Sequence, residues 1–532
     1  MWRTVVTDSA PAPSPQPPPR PSRLGSGVVV VVLLGSMLGA VTYAVTKESA
    51  ESARLAADLA TTTTTTAPTT TSQPSTTTAA TTTTTTLPKR APGTVPGYTV
   101  GQPWGSTLGL TMFRGNPTRT FYGSGPLPEN PRVLWTYPRE GTMCGSSSVA
   151  GVSSLWCGSG WTGQPVVWER PDGVTEVIFG AYDKAVHFLD ADTGAELRPS
   201  FPVGDIIKGS VTLDPDGYPL LYFGSRDNRL RIVALDRPEP EELWGLEATA
   251  VDGMWNDDWD GNPVIVDDVM YEGGENSWFF AVKLNRSTGS DGLVAVEPEI
   301  LFQTAGWTQE LIGLVGRNVS IESSVMLHGE TAYFANSGGR VAGFDVSEIE
   351  SGIAPLAFDY WVGDDTDATL ISDQDGNVYV AVEEERRNQR SRDLGQLIKL
   401  DPSAEDPFVW GVQVPGGRDF GGFWATPALG DGVLYASTNP GELLAVDQET
   451  GEVVFREEIG WHSWSSPVVV GEELLVASCT GDLRSYSIAD PRQPVLQWNL
   501  KVSESCIEST PAVWNGRIYV GVRDGKFYAI GS

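Results

Sequence analysis

Basic residues are scarce in this sequence. Lys and Arg number 36 against 67 Asp and Glu, giving a formal charge of -31. The imbalance is uneven: residues 1–96 hold seven basic and four acidic side chains, so residues 97–532 carry -34. A globular part that acidic is repelled by phosphate backbones and anionic headgroups, which argues against nucleic acid as a partner. Histidine is nearly missing, at three residues, and cysteine stops at four. The four (Cys144, Cys157, Cys479 and Cys506) form no CxxC or CxxCH, which argues against a zinc ribbon or c-type haem. There is also no HExxH, nucleophile elbow or phosphate loop, so the common signatures of hydrolytic and nucleotide chemistry are missing.

Three segments precede the acidic part. Residues 1–26 form a proline-rich tail that cannot pack a core. Gly27–Thr46 then runs without a charge, and as a helix it would span about 30 Å, the thickness of a bilayer core. Arg20 and Arg23 lie just before it, so the positive-inside rule puts the N-terminus in the cytoplasm and the rest outside. The expectation is a single-pass anchor in the cell membrane; a signal peptide cleaved after Thr42-Tyr43-Ala44 is the competing reading. Residues 47–96 begin with a short helical stretch and become almost pure Thr, the composition of a disordered stalk.

From residue 97 to 532 the chain repeats. Trp424–Phe455 shows the unit: short alternating apolar runs at 427–429, 433–437 and 443–447, punctuated by Asp431-Gly432 and Asn439-Pro440-Gly441. A turn at Asp447–Gly451 leads to a fourth run at 452–456. Period-two apolar runs between turn formers read as antiparallel strands joined by hairpins. Similar strand starts fall at Pro165, Val211, Pro263, Val325, Leu370, Pro427, Pro467 and Pro511, a spacing that matches four-stranded propeller repeats. The last repeat stops after its third strand, while an orphan strand, Arg132–Tyr137, precedes the first. The expected fold is therefore all-β: an eight-bladed β-propeller of four-stranded antiparallel blades, its ring closed by the N-terminal strand so that no edge is left unpaired.

Ala445-Val446-Asp447-Gln448-Glu449-Thr450-Gly451 and Leu189-Asp190-Ala191-Asp192-Thr193-Gly194 resemble the Asp-x-x-Thr-Gly core of the PQQ (pyrroloquinoline quinone) repeat. The resemblance covers about residues 130–531. It implies a closing Trp that docks neighbouring blades, a place taken by Trp244, Trp361, Trp410 and Trp498, with Phe455 as a substitute. Such propellers serve quinoprotein dehydrogenases and the outer-membrane assembly scaffold alike, so the resemblance fixes fold more than activity. Dehydrogenases of the alcohol type carry two adjacent cysteines over the quinone, and this chain has none.

Aligning the repeats on the strand start exposes a column three residues earlier: Thr162, Lys208, Asp260, Glu322, Asp367, Trp424, Trp464 and Glu508. The two positions that follow are small, as expected where eight first strands converge on a central channel. The column should ring one mouth of that channel. Its carboxylates suit a hard cation such as calcium, its tryptophans a flat cofactor such as PQQ or a sugar ring. The plainer reading is a solvated rim, with Lys208 paired to a neighbouring acid. Trp255–Asp260 enters the same mouth, with Asp257 and Asp258 read as structural turn acids. His462 reads as a rim hydrogen-bonder, and Asp183, Asp227 and Asp524 read as hairpin-turn residues.

Four cysteines allow three pairings. Cys144 and Cys157 flank a Gly/Ser-rich loop and suit a local staple, whereas Cys479 with Cys506 would tie adjacent blades near closure. The functional expectation is a membrane-anchored extracytoplasmic scaffold or sensor of the cell envelope that binds a protein partner or a small-molecule or carbohydrate ligand. The alternative is a quinoprotein dehydrogenase that oxidises an alcohol or sugar with PQQ and calcium. Insertions at 285–316 and 383–394 suit partner contact.

Overall fold

The computed structural model describes residues 99–149, 152–161, 163–416 and 421–532. The tail, the apolar span Gly27–Thr46, the stalk and Thr162 of the column lie outside those residues. Among the described residues no helix is long and apolar enough to cross a membrane.

Eight blades follow one another along the described chain, each built on four antiparallel strands, with a fifth short strand added to the first and to the last. In the sixth, Ala428–Leu429, Val433–Ser437, Glu442–Asp447 and Val453–Glu458 pair in sequence order, the order expected of consecutive hairpins. Second and third strands are buried on both faces because each blade is covered by its neighbours, and apolar clusters fill the spaces between blades. The turn after the third strand is set by Asp447, whose Oδ1 accepts from the backbone N–H groups of Glu449 and Thr450 and from the Thr450 hydroxyl. Asp190 and Thr193 repeat this in blade one. Gly451 then takes φ +74°, and a Cβ there would lie 2.8 Å from the Trp410 ring, so both conformation and space require glycine.

That contact is the docking expected of the closing Trp: Trp410 of blade five lies on the Thr-Gly turn of blade six and donates from Nε1 to the Gln448 carbonyl at 3.1 Å. The position is defined by a bulge between third and fourth strands, which inserts one residue just before the aromatic. Trp244, Phe455 and Trp498 share it. Trp361 does not. It pairs with Arg340 at the far end of its strand, and Phe358, opposite Gly343, stands at the bulge instead.

The ring closes as expected. Arg132–Tyr137 pairs antiparallel with Lys526–Gly531, placing Trp135 opposite Ala529. Both disulfides are present: Cys144–Cys157 across a hairpin, and Cys479–Cys506 between blades seven and eight.

One segment had no counterpart in the repeat pattern. Gly109–Leu110 adds to the first strand of blade one, and Gly123–Ser124 runs parallel to the first strand of blade eight. The chain between them lies inside the ring. Thr111 accepts from Leu213 N–H of blade two, and Pro117 from Leu327 N–H of blade four. Two wholly buried arginines hold it. Arg114 donates to the carbonyls of Thr426, Pro427 and Pro467, and Arg119 to those of Asn262 and Val325. The segment is thus a plug in the channel, bonded to first strands around the ring.

Candidate functional site

The small residues before each first strand do more than make room. Their hydroxyls accept the backbone N–H of the same position one blade back: Ser324 from Asn262, Thr369 from Ser324, Thr426 from Thr369 and Ser466 from Thr426. This belt pairs buried N–H groups that a tight ring would otherwise leave unsatisfied. It also fixes the residue two places earlier, the column position, at one level around the channel.

At that level the column residues meet as neighbours. The Lys208 ammonium contacts Asp260 and lies 3.0 Å from Asp258 and 2.8 Å from Glu275. Arg226 adds a 2.6 Å bond to Asp258. Lys208 is 0% exposed, so a solvated rim is the wrong description of this half of the ring. Burial works to raise the Glu275 carboxyl, but Lys208 and Arg226 beside it and a hydrogen bond from Asp260 hold it down at about 2. Asp260 moves the other way: burial, then the charge of Asp258, drives it well above the ordinary carboxylate range.

Glu322 and Asp367 are linked through Ser337, whose hydroxyl lies 3.4 Å from one and 3.3 Å from the other. Asp365, Asp367 and Glu383 bring carboxylate oxygens within 4.8 Å of one another, as Asp258, Asp260 and Glu275 do. Arg386 reaches Asp365 at 3.4 Å. Burial, reinforced by Glu275 and Asp365, pushes Glu322 up to about 7. Burial and like charges also raise Asp367 and Glu383 well above their ordinary range.

The aromatic members touch as well. Trp424 and Trp464 have ring centroids 4.2 Å apart, and Trp161 lies 5.0 and 5.8 Å from them. Trp464 donates to Asn439, while the buried Nε1 of Trp424 has no hydrogen-bond partner. His462 sits against Trp461 and Trp464, its Nδ1 2.7 Å from the Asn439 carbonyl, a rim hydrogen-bonder as expected. Glu508 pairs with Arg523 at 3.3 Å. Asp183, Asp227 and Asp524 bind local partners: His187, Arg231 and Lys526 N–H.

Sequence alignment by column missed Glu275, Asp365, Glu383 and Trp161, and it assigned Asp258 to a turn. A signal was present: Asp-x-Asp recurs at 258–260 and 365–367, each time ending on the column residue.

The buried carboxyls give the propeller a pH dependence with a definite sign. Glu322, Asp367 and Glu383 hold protons in the folded state that they release on unfolding, so their contribution to stability is complete in acid and fades as pH rises through the folded values. Glu275 and Asp447, both held at about 2, oppose this only below the ordinary carboxylate range. Thermal unfolding should therefore show stability that is highest near pH 5 and falls as pH rises towards 8. Glu322→Gln should flatten that slope, and an unchanged slope would show that Glu322 does not titrate in this interval.

The fold and the mouth together define a class: a closed β-propeller with a plugged channel and a buried acidic and aromatic ring. The family described as outer membrane protein assembly factor BamB (PQQ_2) matches residues 395–531, the stretch of the last three blades. Among solved structures, the quinohemoprotein alcohol dehydrogenase from Comamonas testosteroni is similar at 12% identity over 80% of each chain, with a TM-score of 0.54. A europium-containing methanol dehydrogenase is similar at 13% identity over 80% of this chain and 98% of that one, with a TM-score of 0.53. BamB from Moraxella catarrhalis aligns at 12% identity over 76% of this chain and 98% of that one, with a TM-score of 0.36. Identities this low speak to the propeller fold alone. The search of curated proteins gives no match.

Proposed function

We propose that this chain is a membrane-anchored, extracytoplasmic propeller of the cell envelope that binds a ligand or partner at the acidic and aromatic mouth of its ring. The observation that carries the reading is the mouth itself, where buried carboxylates and indoles converge above a channel filled by the chain's own 109–124 segment. Groups so costly to bury are retained where they recognise something. The uncharged run Gly27–Thr46, the basic residues before it and the two disulfides support an anchored, extracytoplasmic placement.

The dehydrogenase alternative requires a slot for a flat anionic quinone. Trp161, Trp424 and Trp464 lie against one another at interplanar angles of 44–50°, which leaves no parallel gap for such a ring. Lys208, Arg226 and Arg523 are engaged by the chain's own carboxylates, and Arg386 faces Asp364 and Asp365. The residues present do not fit the quinone. Adding PQQ and calcium to the purified protein should give neither an absorbing complex nor dye reduction with alcohols or sugars.

Placement is tested in intact cells expressing the full chain. The protein should resist alkaline extraction from membranes, and protease added outside should destroy the propeller while sparing a cytoplasmic marker. Recovery in the soluble cytoplasmic fraction would refute the reading.

A further inference from the structure

The two carboxylate triads are the same feature in different blades. In blade three, Asp258 and Asp260 precede the first strand and Glu275 follows the second; in blade five, Asp365, Asp367 and Glu383 take the corresponding places. The column residue of the preceding blade points the difference. Blade two supplies Lys208, whose ammonium sits among the three carboxylates of blade three. Blade four supplies Glu322 where the lysine would be, so the blade-five triad gains a fourth carboxylate instead of a cation.

Charge and hydrogen bonding give the second triad an unfilled requirement. Asp365 is 5% exposed and its Oδ1 has no hydrogen-bond donor among the described residues; Glu383 is 3% exposed. Asp258, Asp260 and Glu275 with Lys208 and Arg226 sum formally to one negative charge. Glu322, Asp365, Asp367 and Glu383 with Arg386 would sum to three if all were ionised; in the free protein protons offset that charge, and two ligand cations could take their place. The three oxygens lie within 4.8 Å of one another, so a point between them is at most about 2.8 Å from each, within reach of charge-assisted N–H···O bonds. An alkylammonium carries three N–H donors for three such oxygens. Trp424 holds the column place of the next blade, two residues after Gly422, whose backbone pairs with Glu383, and Trp464 and Trp161 pack on Trp424. Indole faces attract ammonium groups and pack on the methylenes between them.

We propose that the blade-five triad and the tryptophans beside it bind an alkyl diammonium ligand, a small polyamine, with one ammonium taking the place that Lys208 takes in blade three. This rests on the reading of the mouth as a binding site and names the class of its ligand. The geometry of the triad sets one charge, the excess of carboxylates sets the second, and the tryptophans set the alkyl spacer.

The test uses the full chain in detergent, with 1,4-diaminobutane, spermidine, butylamine, the dipeptide amide acetyl-Lys-Lys and calcium chloride as separate titrants in calorimetry. The diamine or spermidine should bind at least tenfold more tightly than butylamine. Glu322→Lys, which installs the missing ammonium, should abolish that binding, and Asp365→Asn should weaken it at least tenfold should the first variant fail to fold. Trp424→Ala should weaken the amines about tenfold and leave any calcium signal unchanged. Binding of calcium without the amines would make this a metal site and overturn the proposal. Tighter binding of the dipeptide amide would move the site to a partner's lysine and overturn it too, as would no binding of any cation. In each of these cases the protease and extraction results still stand or fall separately.

Discussion

Replacing Arg119 with alanine should cost the propeller about 3–5 kcal/mol, a large share of the stability of a folded domain. Its guanidinium makes five bonds inside the ring: two to the Val325 carbonyl at 2.9 and 2.7 Å, one to the Asn262 carbonyl at 2.8 Å, one to Asn262 Oδ1 at 2.7 Å and one to the Phe113 carbonyl at 3.0 Å. Bonds from a charged donor are each worth about 1.5–3 kcal/mol, and truncation strips several buried acceptors at once while opening a cavity. The site is sealed, since Arg119 and Asn262 are both within 1% of full burial, so water cannot readily replace the lost donors. Arg119→Lys keeps the charge but not the planar fork and should recover less than half of the loss. Urea unfolding measures both. A loss below about 1 kcal/mol would mean that the plug is passive filling and not a hub joining blades three and four.

The strands of this propeller were legible in the sequence because blades repeat one physical problem. A second or third strand buried on both faces has to be apolar through its middle, as 433–436 and 443–446 are, and the Asp-Gly and Thr-Gly turns mark its ends. Ring closure was legible for the same reason: a missing fourth strand in the last repeat demanded a donor. The plug was not legible, because Thr111–Tyr122 occurs once and its Arg, Asn and Thr residues carry no period-two apolar pattern. Burial of those residues follows from carbonyls offered by first strands that come together only in the closed ring. Trp361 was misplaced because the aromatic at the bulge of that blade is Phe358, three residues earlier, and a scan for Trp passes over it. The acidic triads were half legible. The column picked out Asp260 and Asp367, but Glu275 and Glu383 arrive from the far side of a hairpin and gain meaning only beside them.

Trp135→Ala carries a second large expected effect, at the one place where the ring is closed without a covalent connection. Trp135 donates from Nε1 to the Ala191 carbonyl at 3.0 Å and packs against Tyr519 and Phe527 at 6.2 Å between centroids. Its ring also covers Gly194, where a Cβ would lie 2.6 Å away. Removing a large aromatic from such a seat costs about 3–5 kcal/mol. Trp410→Ala, which removes the equivalent ring from the Gly451 turn, should cost a similar amount, since the contacts correspond. The two variants should still behave differently. Blades five and six remain joined by the chain when Trp410 is lost, but weakening the Trp135 seat lets Arg132–Tyr137 part from Lys526–Gly531 and bares a strand edge on the last blade. A bare edge recruits other chains. Light scattering at matched fractions unfolded should therefore rise with protein concentration for Trp135→Ala and stay flat for Trp410→Ala. Equal behaviour of the two would place the closing free energy elsewhere, in the buried bonds of the plug, because that segment also ties blade eight to blade one.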